Sequence, residues 1–415
     1  MAANHPTWID HFPGNFMWSN ATLVTKGMAP YGAVALGEID EVCERLRRRQ
    51  GEPHAWGAEW SALGARLEKA AHAAEAQGSR MSAGNLFLRA GMYYFTAERF
   101  IVPGPEKREM GRMAIDCQTR GILRRYPNVE RVEVPYEGVT LPALFMKAPG
   151  ATGRAPTMVA FDGLDNCKEM SVLFNGLEFA ARGWHTLAID GPGQGESLRL
   201  RDIKTRHDYE AAGTAAYNWV AARPEVDAKK VAVMGYSFGG YYAPRIVAFE
   251  KRYCACVAFG AMHWSMEEWV DGIRRAVRSD VKSSAQSHFQ VPWAFGAKDL
   301  DEAVAMAGRF DLAGVARRIE CPILVAHGED DRIVPLDSAR KLYAAAGSKR
   351  KTLKIFTAAE GGAEHCQVDN RQVGTDYICD WLVKRLAPIT KGKGKRGKGK
   401  GTARKAKAKD RKGRR

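Results

Sequence analysis

Val231-Ala232-Val233-Met234-Gly235-Tyr236-Ser237-Phe238-Gly239-Gly240-Tyr241 is the stretch on which the reading of this chain turns. A run of β-branched and apolar residues enters a Gly-x-Ser-x-Gly turn, and a helix is expected over 240–250 beyond it. The junction reads as strand, sharp turn, helix. The serine is held in a strained turn, and Gly235 and Gly239 are small because the backbones pass too closely for a Cβ. Such a turn exposes the Ser237 hydroxyl at a helix N-terminus. The five-residue pattern recurs by chance in unrelated chains; the strand before it and the helix after it give it weight.

Outward from this turn, short apolar strands alternate with helices. Strands are expected over 157–161, 185–190, 231–234, 254–259, 322–327 and 353–356. The intervening helices are expected over 171–182, 209–222, 240–250 and 338–346, with a last one near 375–385. Strand, helix, strand with both strand faces apolar is the pattern of a parallel, doubly wound sheet, hence an α/β fold. Before it, 130–136 and 141–147 flank Glu137-Gly138 and read as a hairpin. Earlier still, 34–49, 59–75, 83–100 and 106–125 read as helices. Leu86, Ala90, Tyr93, Tyr94 and Ala97 recur at helical spacing, and the aromatic cluster Tyr93, Tyr94, Phe95, Phe100 reads as core rather than as a ligand box. The expected organisation is a helical N-terminal domain (1–125), a sheet domain (126–390) and a tail (391–415). The strand–helix rhythm breaks over about 261–320. An insertion there would lie over the carboxyl ends of the strands, as a helical cap.

A serine hydroxyl needs a base, and the base needs an acid to orient it. The 322–327 strand runs into Gly328-Glu329-Asp330-Asp331-Arg332-Ile333-Val334-Pro335, which places an acid just past a strand; the spacing favours Asp331 over Asp330. After the strand at 353–356, a Gly-containing loop leads to His365. Of the ten histidines, His365 follows the last strand, where a base could reach Ser237, while His327 is expected to stabilise its local turn. The chain order Ser, Asp, His is that of the α/β-hydrolases. Attack on a carbonyl creates an oxyanion that needs two backbone donors. The amides of Phe238 and of Leu164, in the loop Asp162-Gly163-Leu164-Asp165, are the candidates. The Gly191-Pro192-Gly193-Gln194-Gly195 run lacks the lysine of a phosphate loop and the register of a dinucleotide fingerprint; it reads as a loop lining the site. Within the insertion, His263, Trp264, Glu267, Glu268, Trp269 and Trp293 combine aromatic and acidic character. They suggest either cap-helix packing or a substrate pocket.

The composition sets limits. The chain of 415 residues is 45% hydrophobic and 27% charged, a globular balance with no apolar run long enough for a membrane span. Its net charge is +16, but 391–415 hold 14 Lys/Arg and one acid, Asp410, so the remainder is nearly neutral. A Lys/Gly/Ala tail without apolar residues is expected to be solvated, with at most salt-sensitive contacts to nucleic acid or anionic surfaces. The eight cysteines form no Cys-x-x-Cys pair and no Cys/His ladder at zinc spacing. Free thiols in a reducing, cytoplasmic compartment are therefore expected, with no metal and no cofactor. A homodimer stays open.

These residues resemble the α/β-hydrolases grouped around dihydroxypseudooxynicotine hydrolase and the fungal polyketide-shortening hydrolases of pigment synthesis. The resemblance covers most of 10–387. It is carried by Leu88-Arg89-Ala90 to Tyr94, Phe161-Asp162-Gly163-Leu164-Asp165, Asp190 to Glu196, the Ser237 turn, and Cys321-Pro322 to Pro335. It implies an α/β-hydrolase fold and cleavage of a carbon–carbon bond beside a ketone, without a metal, by Ser237, Asp331 and His365. It also implies a cap glutamate near the substrate; counted from the elbow, Glu268 is the nearest match, with Glu267 as competitor. Trp264 and Trp269 would line the same substrate site. The expected function is thus hydrolysis of a small carbonyl substrate, 1,3-dicarbonyl-like and aromatic or polyketide-type. Two alternatives stand beside it: an ester hydrolase or peptidase on the same triad, and a nucleic-acid-associated binding protein acting through its tail.

Overall fold

The computed structural model describes residues 8–52, 54–260, 264–278 and 289–386. The basic tail at 391–415 and His263 lie outside the described residues. Eight strands form one sheet: β1 (Val129–Tyr136), β2 (Val139–Met146), β3 (Ala155–Phe161), β4 (His185–Ile189), β5 (Val226–Tyr236), β6 (Cys256–Phe259), β7 (Ile323–Gly328) and β8 (Lys351–Phe356). Their spatial order is β1-β2-β4-β3-β5-β6-β7-β8. The hairpin β1–β2 pairs antiparallel with β4, and all pairings from β4 to β8 are parallel. The chain leaves β3 toward β4 on one side and returns to β5 on the other, so the strand order reverses beside β3. In open sheets that reversal opens a crevice at the strands' carboxyl ends, where ligands bind. The hairpin turn has Glu137 and Gly138 both at positive φ (42° and 82°), the geometry that matches the right-handed twist of two-residue hairpins.

Alternation along the central strands divides the core in two. Met158 and Ala160 of β3, with Ala232 and Met234 of β5, face one apolar cluster; Val159, Phe161, Val231 and Val233 face the other. Both faces are therefore buried, which accounts for the continuous apolar reading of these strands. The first cluster runs on, without a break, into five helices that precede the sheet: α1 (Phe16–Lys26), α2 (Leu36–Arg47), α3 (Ala55–Ala76), α4 (Arg80–Glu98) and α5 (Pro105–Arg125). Trp18, Trp56, Trp60, Tyr93, Tyr94 and Phe95 sit in it, so the aromatic cluster is core. Each such side chain contributes about 1.5–3 kcal/mol of transfer free energy. Two of the buried tyrosines place their hydroxyls on carboxylates: Tyr93 donates to Glu38 and Tyr94 to Glu68, each at 2.7 Å. Helices α4 and α5 approach closely, since a Cβ on Gly91 would stand 2.5 Å from the Gln118 amide nitrogen.

Two details depart from expectation. Helix α1 was not anticipated; Asn15 caps it by accepting from the Trp18 amide. The helix expected over 171–182 starts at Lys168, widens into a π-turn over Val172–Gly176 and resumes over Leu177–Ala181. None of the helices in the described residues is long and apolar enough to cross a membrane.

Candidate active site

Strand β5 delivers Ser237 at its carboxyl end with φ at 55°, and the helix Gly239–Phe249 begins two residues later. The glycines around it answer to close approach. A Cβ on Gly235 would overlap the Gly239 carbonyl, and one on Gly163 would lie 2.9 Å from the Ser237 Cβ. Gly163 thus lets the loop after β3 pass directly beside the serine.

The ends of two further strands complete a hydrogen-bonded relay. His365, in the loop after β8, has Nε2 2.9 Å from Ser237 Oγ and Nδ1 2.7 Å from Asp331 Oδ2. Asp331 follows β7, and its Oδ1 accepts from the amides of Ile333 and Val334, both at 2.8 Å. Burial alone would raise the Asp331 pKa, but the facing imidazole outweighs it and holds the carboxyl below the usual range. Burial likewise disfavours protonation of His365. The Asp331 carboxylate overrides this, and the imidazole pKa stands well above its ordinary value. Asp330 is exposed. His327 has Nε2 3.0 Å from the Val334 carbonyl, which ties the turn as expected. The relay can pass the hydroxyl proton to Nε2 as Oγ attacks a carbonyl carbon.

Beyond the serine opens a cavity of about 520 Å³. Ser237, His365, Leu164, Glu268 and Trp269 line it. Between the two acids of the cap segment the structure discriminates: Glu268 faces the cavity, whereas a Cβ on Gly308 would meet Glu267 Oε2 at 3.1 Å, so Glu267 turns toward the helix Leu300–Ala307. Trp264 is a correction to the expected substrate contacts. It packs on the second apolar cluster and does not line the cavity. Trp293 is also elsewhere, with the ammonium of Lys107 5.2 Å from its ring. Among the described residues the amides of Phe238 and Leu164 donate to no protein acceptor, which leaves both free for an oxygen at the serine.

The Gly191–Gly195 loop does not line the cavity, contrary to expectation. It is buried behind the site, where Gln194 Nε2 donates to the Asp162 carbonyl and Tyr209 donates to Gln194 Oε1 at 2.9 Å. Beside it Lys168 bonds Asp190 (3.1 Å) and Glu196 (2.8 Å), fully buried. The loop is a buttress for the 162–165 turn. A second brace comes from Asp162, whose Oδ1 accepts from the Tyr236 hydroxyl at 2.8 Å; burial, then the neighbouring Asp190, raise the Asp162 pKa.

Sequence reasoning missed one wall of the cavity. Phe16, Met17, Asn20 and Val24 of α1 form it, and their spacing along one helical face was the available signal. Arg99 and Arg371 also line it, and nothing local in the sequence sets them apart from other arginines.

The model of the alpha/beta hydrolase family matches residues 148–370. Over 408 residues the chain is 27% identical to Hydrolase LUC6 of a Fusarium species, covering 89% of this chain and 96% of that protein. It is 26% identical over 344 residues to 2,6-dihydropseudooxynicotine hydrolase of Paenarthrobacter nicotinovorans, covering 81% and 88%. The crystal structure of 2,6-dihydroxy-pseudo-oxynicotine hydrolase superposes with a TM-score of 0.72 at 23% identity over 87% of this chain and 96% of that one, a likeness of fold. With more than half its length matched, and a mostly parallel eight-stranded sheet with Ser237 at a strand-to-helix turn, this chain belongs to the alpha/beta hydrolase family.

Proposed function

We propose that the chain is a serine hydrolase that cleaves a carbon–carbon bond next to a ketone in an aromatic or polyketide-type 1,3-dicarbonyl compound. The observation that carries this reading is the Ser237–His365–Asp331 relay, with spacings of 2.9 and 2.7 Å, opening on a cavity walled in part by Glu268. In the proposed reaction His365 Nε2 takes the Ser237 proton as Oγ bonds to the carbonyl carbon, and the amides of Phe238 and Leu164 hold the oxyanion. Collapse breaks the carbon–carbon bond and expels an enolate, which takes the proton from His365 and leaves as the neutral ketone. Water, deprotonated by His365, then attacks the acyl-serine and releases a carboxylic acid and free Ser237.

The residues serve distinct parts. Glu268 is proposed to position a substrate hydroxyl or relay a proton to the enolate, and Trp269 to pack against the ring. Helix α1 acts as one wall, and the described residues 264–278 and 289–320 of the expected 261–320 insertion act as the cap. A relative whose name is 2,6-dihydropseudooxynicotine hydrolase supports the ketonic substrate class. Loss of aryl 1,3-diketones, followed by ultraviolet absorbance beside hydrolysis of short-chain nitrophenyl esters, tests the reading. Diketone loss that disappears in Ser237→Ala, with slower ester turnover, is expected; efficient ester cleavage without diketone loss would replace it by an ester hydrolase on the same residues.

A further inference from the structure

Arg371 opens the helix Arg371–Leu386 and lines the cavity that holds Ser237, yet it is only 3% exposed. Among the described residues it makes no ion pair and no hydrogen bond; Nε and Nη1 are buried without an acceptor. A guanidinium carries five donors and does not shed its charge as a lysine can, so leaving it unpaired in a buried site is costly. Among the described residues Phe174 presents its ring face 4.8 Å from the guanidinium carbon, and Tyr31, Tyr236 and Cys366 lie near enough to act on its charge. The space it occupies is kept open, because a Cβ on Gly27 would stand 2.8 Å from Arg371 Nε. Two more features of the same cavity point the same way. Among the described residues the Arg99 side chain has no ion pair and gives one hydrogen bond, to the Asp165 carbonyl at 3.1 Å. Gln290, 4% exposed, has both amide atoms without a partner among the described residues. The remaining cavity arginines, Arg275 and Arg332, already hold Asp271 and Glu364.

We propose that this end of the cavity is an anion subsite and that the substrate carries a carboxylate, which the Arg371 fork binds with help from Arg99. The inference rests on the proposed reading of the cavity as the substrate site, and it narrows that reading from a neutral ketone to a keto acid. The planar fork matches a carboxylate in two parallel hydrogen bonds. The apolar wall of Phe16, Met17, Val24 and Ile273 suits the rest of such a molecule. A carboxylate takes one edge of the fork, Nη2 together with either Nε or Nη1, so that one of the two orphan donors is satisfied by the ligand rather than by the fold.

The experiment is direct binding of 4-phenylbutyrate and of its neutral amide, by calorimetry, to the full chain carrying Ser237→Ala, where no turnover interferes. The acid is expected to bind about tenfold or more tighter than the amide, as a charge-assisted pair requires. In the Arg371→Gln background that preference is expected to vanish; Arg371→Lys, which keeps the charge but not the fork, should retain part of it. Circular dichroism establishes that each variant is folded. Equal binding of acid and amide, no binding of either, or a preference that survives Arg371→Gln overturns the subsite. If Arg371→Gln does not fold, the acid-to-amide ratio in Ser237→Ala and its fall in Arg371→Lys decide the matter alone. Labelling of the unaltered protein by a fluorophosphonate, run in parallel, reports the Ser237 nucleophile separately. Absent labelling with intact acid preference would discard the hydrolase reading and keep the subsite, and the opposite pattern would do the reverse.

Discussion

Replacing Asp331 by asparagine puts the proposed relay to its sharpest test, because the surrounding hydrogen bonds dictate how the amide must sit. Oδ1 of Asp331 receives two backbone donors, the amides of Ile333 and Val334 at 2.8 Å, and only an oxygen can occupy that position. In Asp331→Asn the NH2 group is therefore forced into the place of Oδ2, 2.7 Å from His365 Nδ1. Facing a donor, Nδ1 must become the acceptor, and the imidazole proton moves to Nε2, 2.9 Å from Ser237 Oγ. A ring protonated at Nε2 cannot take the serine proton. Its loss is expected to lower kcat/KM by about 10⁴-fold, or roughly 5.5 kcal/mol of transition-state stabilisation, the scale found when the acid of a Ser-His-Asp triad is so replaced. The rate of Ser237 labelling by a fluorophosphonate and the turnover of the best diketone or ester should fall together. The far-ultraviolet spectrum should be unchanged, since the two backbone bonds persist. Asp330→Asn, at the exposed neighbour, is the control and should alter neither rate. A folded Asp331→Asn protein within about tenfold of the unaltered one would refute the assigned orientation of the relay.

The raised His365 pKa gives a pH prediction. The base works as neutral imidazole, so kcat/KM should climb with pH through a midpoint above the ordinary 6.5; because the Asp331 carboxylate is what lifts it, Asp331→Asn should shift that limb downward. A limb centred below 6.5 in the unaltered protein would contradict the pairing. Glu268→Gln is expected to lower diketone turnover about 10- to 100-fold while leaving nitrophenyl ester hydrolysis within a few-fold, because only the first expels a carbanion; an equal fall in both would remove Glu268 from proton handling. In the core, Leu144 of β2 is wholly buried in the first apolar cluster. Leu144→Ala should cost about 2–5 kcal/mol in urea unfolding, and a loss under about 1 kcal/mol would mean that this core is looser than drawn.

Much of the framework follows from local pattern. The 231–241 stretch, the acid after 322–327 and the histidine after 353–356 are each readable because they sit at the ends of strands that period and composition mark. Parallel strands then bring those ends to one edge of the sheet, whatever fills the loops. Gly235 and Gly239 are legible in the same motif, although the atoms that demand them differ: a Cβ on Gly235 would meet the Gly239 carbonyl, and one on Gly239 would stand 2.5 Å from the Asp162 carbonyl, in a segment the motif does not contain.

Contacts between segments distant in the chain follow a different rule. Trp264 and Glu268 lie four residues apart and looked alike as substrate contacts, yet one packs on the core and the other faces the cavity. The Gly191–Gly195 run looked like a site loop and is a buried brace, because its neighbours Lys168 and Asp162 come from elsewhere in the sequence. The strand-end residues of the relay, the alternation of strands and helices and the family were legible in the sequence, since hydrophobic period and turn chemistry act over a few residues; the spatial order of the strands was not. The wall from α1, the choice of Glu268 over Glu267 and the unpaired Arg371 were decided by tertiary structure alone. Whether a buried charge has a partner depends on which atoms the fold brings within about 3 Å, and no local pattern records that.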